Sequence, residues 1–394
     1  MKPIAQRILW YRVDQYLSRY RPHTIAVAGT YGRGVAAESI LQAIHAKRHV
    51  RLAQSGDQPR HIPEGILGIS ERANMSFLDL LAAGKMKELT EYEPDTIIAQ
   101  VPLIMPGFAR QAISHIVPRT LVLTHSGYEH LDLFGDQDMV AHEYQIMTQQ
   151  LAADAAIVLN VDDPHFRDML GSLHHNVITY GTHEKADIRA RRATRSESGS
   201  GIFLELSIDN VAHELYLPYS MAKQHMYGAL AGIAVAHAMG VSSKDAIAGV
   251  QQAKPPRGIF SRMHGKNDSV VVDDTNNTTF DGILSSLTSL TSMPGAARKI
   301  VVLKDIQGLG ARSHELHERI GTAAASAGHI LVFVGELMLA AQAAAGRANE
   351  EVDTHHFDTA VQVSEWLPAH IKKGDVVYIG GGLEELSGRL ENRN

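Results

Sequence analysis

The chain has no cysteine in its 394 residues, which excludes disulfides, thiolate metal sites and a cysteine nucleophile. It also lacks any apolar run near the roughly 18 residues needed to cross a bilayer, so no membrane span is expected. The start, Met1-Lys2-Pro3-Ile4, has no apolar stretch followed by a small-residue cleavage site, and a cytoplasmic location is expected. Positive charge is scarce as well. The net charge of -6 offers no general attraction for nucleic acid, whose phosphates require clustered Lys and Arg. Histidines number 22 but are scattered, and the H-x-x-x-H spacing with an acid between, found on the helix of zinc proteases, does not occur. What is present is the composition of a folded protein, 44% apolar and 20% charged. The length implies two or three domains, each able to bury a core.

Along the chain, Ile4, Ile8, Leu9, Tyr11, Val13, Tyr16 and Leu17 recur with a rough helical period and predict a lead helix within residues 1–21. Thr24 to Ala28 is the first strong strand; it runs into a glycine turn and then a helix over Val35 to His45. Apolar runs at Thr96–Val101, Thr120–Thr124, Ala155–Leu159 and Val177–Tyr180 read as buried strands separated by helices, the alternation of a doubly wound parallel sheet. From Asp187 to Leu217 the period changes to two, which predicts an antiparallel hairpin added to that sheet. Ser196 to Gly201 reads as a turn. Helices follow at Tyr227–Met239 and Ser243–Gln252. Lys254-Pro255-Pro256-Arg257-Gly258 is the best linker, dividing a unit at 22–253 from a second α/β unit at 254–394 with strands near Ser269–Asp273, Lys299–Leu303, His329–Val334 and Val376–Ile379.

Three segments could carry chemistry. Gly29-Thr30-Tyr31-Gly32-Arg33-Gly34 follows a strand and opens a helix, a geometry that points backbone N–H groups at a phosphate. It departs from the full phosphate-loop pattern, with Arg33 where lysine is expected and Gly34 where a magnesium-binding hydroxyl is expected. Taken alone it reads equally well as an ordinary strand-to-helix turn. Thr124 to Gly135 packs His125, Glu129, His130 and Asp132 after a buried strand, although histidines in loops are more often solvated or hydrogen-bonded than ligating. Val272-Asp273-Asp274-Thr275-Asn276-Asn277 follows a strand of the second unit and could meet a ribose or a metal-bound phosphate, while Asp and Asn also favour turns. Lys304 to Gly310, with His314 and His317 behind it, has the same two readings.

These landmarks, taken in order, resemble the Mur ligase family, and within it the ligases that add D-alanyl-D-alanine to a peptidoglycan precursor. Ala28 to Gly34 resembles the family's phosphate loop. His130-Leu131-Asp132 to Gly135 and Asn160-Val161-Asp162-Asp163-Pro164 resemble two segments of its central domain. Val272 to Asn277, Val301 to Gly310, Glu315-Leu316-His317 and Gly374 to Val377 resemble its C-terminal domain. The resemblance implies a central parallel-sheet P-loop-type ATPase domain plus a C-terminal Rossmann-like α/β domain. The family's N-terminal domain, which binds a UDP-linked precursor, has no counterpart in the roughly twenty residues before the first strand.

The resemblance also implies cofactors and roles. Family members phosphorylate a carboxylate with ATP and let an amine displace the acyl phosphate, chemistry that needs cations around the phosphates. ATP and magnesium are the implied cofactors. Gly29, Thr30, Tyr31, Gly32, Arg33 and Gly34 would hold the nucleotide with Arg262, Asp274 and Asn277; His130, Arg33, Asp274 and Asn277 are the implied catalytic group. Gln100 and His130 are the implied metal positions. Departures cluster there: Arg33 for lysine, Gly34 for serine or threonine, Gln100 for glutamate, Tyr144 for a lysine that becomes carbamylated, Gly228 for an asparagine near adenine, and Ile379-Gly380-Gly381-Gly382 for a lysine-containing strand end. Magnesium prefers oxygen ligands in an octahedron, which these residues supply poorly. The expected function is therefore a Mur ligase homologue acting as a non-catalytic binding or regulatory module, pairing with an active Mur-type ligase or with itself. The alternatives are an active or altered ATP-dependent amide ligase and a phosphate-binding protein with other chemistry at Arg33.

Overall fold

The computed structural model describes residues 3–53, 58–69, 94–196, 201–293 and 298–391; the turn expected at 196–201 falls largely outside them. Among the described residues fifteen strands form two sheets. The first contains β1 (His23–Ala28), β2 (Val50–Ala53), β3 (Thr96–Val101), β4 (Thr120–Leu123), β5 (Ala156–Asn160), β6 (Asn176–Gly181), β7 (Ile188–Arg195), β8 (Ile202–Ile208) and β9 (Val211–Leu217). Their order is β2-β3-β1-β4-β5-β6-β7-β8-β9. It is parallel as far as β7 and antiparallel beyond. The second holds β10 (Ser261–His264), β11 (Val270–Asp274), β12 (Lys299–Lys304), β13 (Ile330–Val334), β14 (Asp353–Phe357) and β15 (Val376–Gly380), in the order β10-β11-β15-β12-β13-β14. Only β10 runs antiparallel to its neighbour.

The strand sequences explain the layers. Ile25 and Val27 of β1 point to one face, where they join Ile98, Val122 and Val158; Ala26 and Ala28 point to the other, with Ile97, Leu121 and Ile157. Both faces are apolar because helices cover both, as parallel sheets require. On the first face lie α2 (Arg33–Ile44) and a later helix, α5 (Lys223–Ala238). On the second lie α1 (Pro3–Tyr20) and α3 (Phe108–Ile116). Trp10 of α1 stacks on His115 of α3 at 4.7 Å, and Asp14 accepts from His115 Nδ1 at 2.8 Å. The lead helix is thus pinned to the sheet's back.

Small residues set how closely α2 and α5 approach. A Cβ on Gly232 would lie 2.7 Å from the Ser39 carbonyl oxygen, and one on Gly228 2.5 Å from Val35 Cγ1. Glycine spacing therefore fixes the seat of α2, whose N-terminus carries the loop at 29–34. The antiparallel extension follows its period-two pattern: Ile202, Leu204 and Leu206 of β8 are buried, while Phe203 and Glu205 face out. The unforeseen strands β2, β10 and β14 lie at or beside sheet edges. The last, Asp-Thr-His-His-Phe, has only half-buried or exposed residues, so no apolar periodicity marked it. Among the described residues no helix is long and apolar enough to cross a membrane.

Candidate functional site

At the end of β1 the chain turns sharply into α2. Gly29 (φ 145°) lies so close to β4 that a Cβ would meet Thr124 Oγ1, and Gly32 (φ 82°) caps the helix in a left-handed conformation. Thr30 is tied to the loop after β4, its N–H and hydroxyl both donating to the His125 carbonyl. Thr124 donates to the Tyr31 carbonyl at 2.8 Å. The N–H groups of Tyr31, Gly32, Arg33, Gly34 and Val35 have no acceptor among the described residues. A fixed glycine turn with unanswered amides at the start of a 12-residue helix suits an anion.

Arg33 bends back over this loop. Its Nη1 donates to the carbonyls of Gly29 and Thr30 and lies 3.6 Å from Glu129 Oε1. Glu129 is buried, and behind it stands the fully buried Tyr144, edge-on to Phe166. Burial, reinforced by the Glu129 charge, pushes the Tyr144 phenol well above its usual range, so it supplies no anionic ligand. Gln100 stands beside the loop: a Cβ on Gly34 would lie 3.8 Å from its Oε1.

These residues do not fit magnesium. Position 34 has no side-chain oxygen, Gln100 is neutral, Tyr144 stays a phenol, and the Glu129 carboxylate already faces a guanidinium. Two unit charges about 4 Å apart interact by roughly 4 kcal/mol at an effective dielectric near 20, and a doubly charged ion doubles this repulsion from Arg33. Among the described residues no cluster of three or more His, Asp or Glu side chains is arranged to hold a metal. His130, in a left-handed conformation, starts the turn Leu131–Phe134 and lies against Gly308 in the loop after β12.

Next to the loop is a cleft lined in part by Tyr31, Gly32, His125, Asn160, Gln224 and Tyr227. Its floor is a polar network. Asn160 donates to the Thr124 carbonyl at 2.8 Å. Burial would raise the Asp163 carboxyl, but hydrogen bonds from His125 Nδ1 (2.8 Å), Ser126 N–H (2.8 Å) and Phe166 N–H (3.2 Å) outweigh it and hold the group below the usual range. Asp163 thereby also caps α4 (Pro164–Met169). Asp162 is likewise held down despite burial, by Thr182, His183 and the Tyr227 hydroxyl at 2.7 Å. Gly228 borders the cleft, yet the Cβ it lacks would point at Val35. Position 228 is therefore a packing position as well as a border of the cleft.

The second sheet closes over the loop through α6 (Phe280–Thr291). The Asp281 carboxylate accepts from Tyr128 N–H at 2.6 Å and lies where a Cβ on Gly127 would be. Burial pushes this carboxyl up. Tyr128 meets Phe280 edge-on at 5.3 Å, under the Arg312 guanidinium at 4.8 Å. Asp274 and Asn277, at the end of β11, face inward. Asp274 accepts from Phe260 N–H, the Tyr378 hydroxyl and Asn277 Nδ2 at 2.8, 2.6 and 3.0 Å, and Asn277 also donates to Ser286. Even so, burial raises the Asp274 carboxyl to about 7. Arg262 is exposed on β10, opposite Val272. The structure thus brings Arg33, Gly34, Gln100 and Glu129 together and sets Asp274 and Asn277 in a network of their own. Asp281 and Gln224 carried no sequence signal, being single residues outside any spaced pattern, and Tyr128 lay unremarked within the Thr124 to Gly135 segment.

Two family models match this arrangement: the Mur ligase middle domain over residues 103–236 and the Mur ligase glutamate ligase domain over residues 260–383. The chain belongs to the Mur ligase family. It is 25% identical over 296 residues to the UDP-N-acetylmuramoyl-tripeptide--D-alanyl-D-alanine ligase of Synechocystis, covering 74% of this chain and 62% of that one. With the Bacillus subtilis enzyme of the same name it shares 20% identity over 378 residues, 94% and 76% of the two chains. A UDP-N-acetylmuramate--L-alanine ligase from Caldanaerobacter subterraneus matches at 27% over 159 residues, 40% of this chain and 34% of that relative. Compared with the first two of these curated relatives in order of match, the chain spans between a third and two thirds of their length. The fold is also that of solved Mur ligases. The MurF ligase of Thermotoga maritima, solved with ADP, superposes with a TM-score of 0.78 at 18% identity, covering 98% of this chain and 84% of the other. MurF from Acinetobacter baumannii gives 0.80 at 17%, covering 97% and 80%.

Proposed function

We propose that this Mur ligase homologue binds a nucleotide at the loop 29–34 and acts as a binding or regulatory module with little or no ligase turnover. The reading is supported by the Thermotoga relative, which was solved with ADP, and by the unanswered amides of residues 31 to 35. The observation that carries the loss of turnover is Arg33, folded onto the loop carbonyls and Glu129. In the nucleotide-bound state the amides and Arg33 would hold phosphates, and the cleft beside Gln224 and Tyr227 would take the rest of the molecule. We place the boundary between the two units in Lys254 to Gly258, with the lead helix at 1–21, and assign the protein to the cytoplasm.

The second reading, an altered amide ligase, draws on the space at Gly34, where an added Cβ meets nothing closer than 3.8 Å. The two are separated by incubating the chain with ATP, magnesium, UDP-N-acetylmuramoyl-tripeptide and D-alanyl-D-alanine, the substrates in the relatives' names, and following phosphate release. The module reading expects nucleotide binding with no acceptor-dependent phosphate. Release that requires both acceptors would establish the ligase instead.

A further inference from the structure

Resting on the nucleotide reading above, we propose that the Arg33 guanidinium takes the place of the divalent cation, so that the loop binds a nucleoside di- or triphosphate as the free anion and not as its metal complex. All of the Arg33 contacts run through Nη1, to the carbonyls of Gly29 and Thr30 and to Glu129. Its Nε and Nη2 donate to nothing among the described residues, which leaves the planar fork able to grip two phosphate oxygens.

The same positions that could hold a metal are neutral or already answered. Gly34 offers no side-chain oxygen, Gln100 no charge, and the Glu129 charge is met by the arginine. A free polyphosphate is more negative than its metal complex, so it depends more on a fixed cation, which the Arg33 guanidinium supplies. The amides of residues 31 to 35 complete the anion site. A second observation, independent of the loop, also points to a ligand. Gln224 is 3% exposed, its Nε2 has no hydrogen-bond acceptor among the described residues, and it lines the cleft together with Tyr31 and Gly32. A buried amide donor left unanswered is costly unless something fills the cleft.

The test is titration calorimetry of the full chain with ADP and with ATP, once in excess EDTA and once in magnesium. The expected dissociation constants agree within about threefold between the two buffers, and Arg33→Met weakens both by about tenfold or more, the scale of a charge-assisted hydrogen bond. Arg33→Lys retains the charge without the fork and falls between them, still indifferent to magnesium. Binding that weakens tenfold or more in EDTA overturns the proposal while leaving the nucleotide reading intact. An affinity unchanged in a folded Arg33→Met protein overturns the role of Arg33. Absence of binding in both buffers overturns the nucleotide reading and this proposal with it. The comparison of buffers uses the unaltered protein, so it holds even if Arg33→Met fails to fold.

Discussion

Gly232→Ala probes the seat of the phosphate loop without touching the loop itself. The added methyl would stand 2.7 Å from the Ser39 carbonyl oxygen and 2.9 Å from its carbonyl carbon. These are backbone atoms of α2 that no rotamer change can move aside. Helix propensity acts the other way, since alanine is about 0.8–1 kcal/mol better than glycine in a helix interior. Overpacking a well-filled interface costs about 1–3 kcal/mol, and a rigid backbone neighbour favours the upper half of that range. The net expectation is a loss of about 1–2 kcal/mol. For a unit of 150–250 residues that lowers the melting temperature by roughly 2–8 °C. Because α2 begins at Arg33, a displaced α2 carries the loop with it, and nucleotide affinity falls as well. Thermal unfolding by circular dichroism measures the first effect and calorimetry the second. A Gly232→Ala protein that melts at or above the parent, as propensity alone dictates, would refute the close packing of α2 on α5.

Two other outcomes follow from the buried polar groups. The Asp274 carboxyl, raised by burial to about 7, keeps its proton in the folded chain between about pH 4 and 7, where the unfolded chain has lost it. Its contribution is therefore fully present below about pH 4 and is lost as the pH rises through 7, by roughly 4 kcal/mol for a shift of about three units. Asp274→Asn removes this dependence, so the stability gap to the parent in urea unfolding narrows from pH 4.5 to 7.5; an equal gap at both pH values counts against it. Tyr128→Ala removes the ring held between Phe280 and Arg312, a pair of contacts each of about 0.5–1.5 kcal/mol beyond area. Limited proteolysis should then cut faster within 254–258, and unchanged cleavage would show that Tyr128 does not hold the two sheets together.

The sequence was most legible where burial imposes a period. The parallel strands Thr96–Val101 and Lys299–Lys304 are built around short apolar runs, Ile97 to Ala99 and Ile300 to Leu303, and the antiparallel extension alternates, so both could be read to within a residue or two. The edge strand β14 could not, because its side chains face solvent on too many sides to leave a pattern. The site divides the same way. The glycine turn and the Asn160 to Pro164 segment are visible as motifs and Gln100 is implied by the resemblance, and the structure brings the glycine turn and Gln100 together. What motifs do not carry is direction. Nothing in Val272 to Asn277 says that Asp274 and Asn277 spend their hydrogen bonds on Phe260, Tyr378 and Ser286. Nor does the order of residues show that Asp281 crosses to the main chain of Tyr128, a contact made by chain segments 153 residues apart.

The most direct test of the central claim is a crystal structure of the full chain grown with ADP and magnesium. The account predicts phosphate oxygens on the amides of residues 31 to 35, the Arg33 guanidinium within hydrogen-bond distance of them, and no metal ion between the phosphates and Gln100 or Glu129. A nucleotide bound elsewhere, or a magnesium ion held by Glu129 with Arg33 swung away, would contradict it.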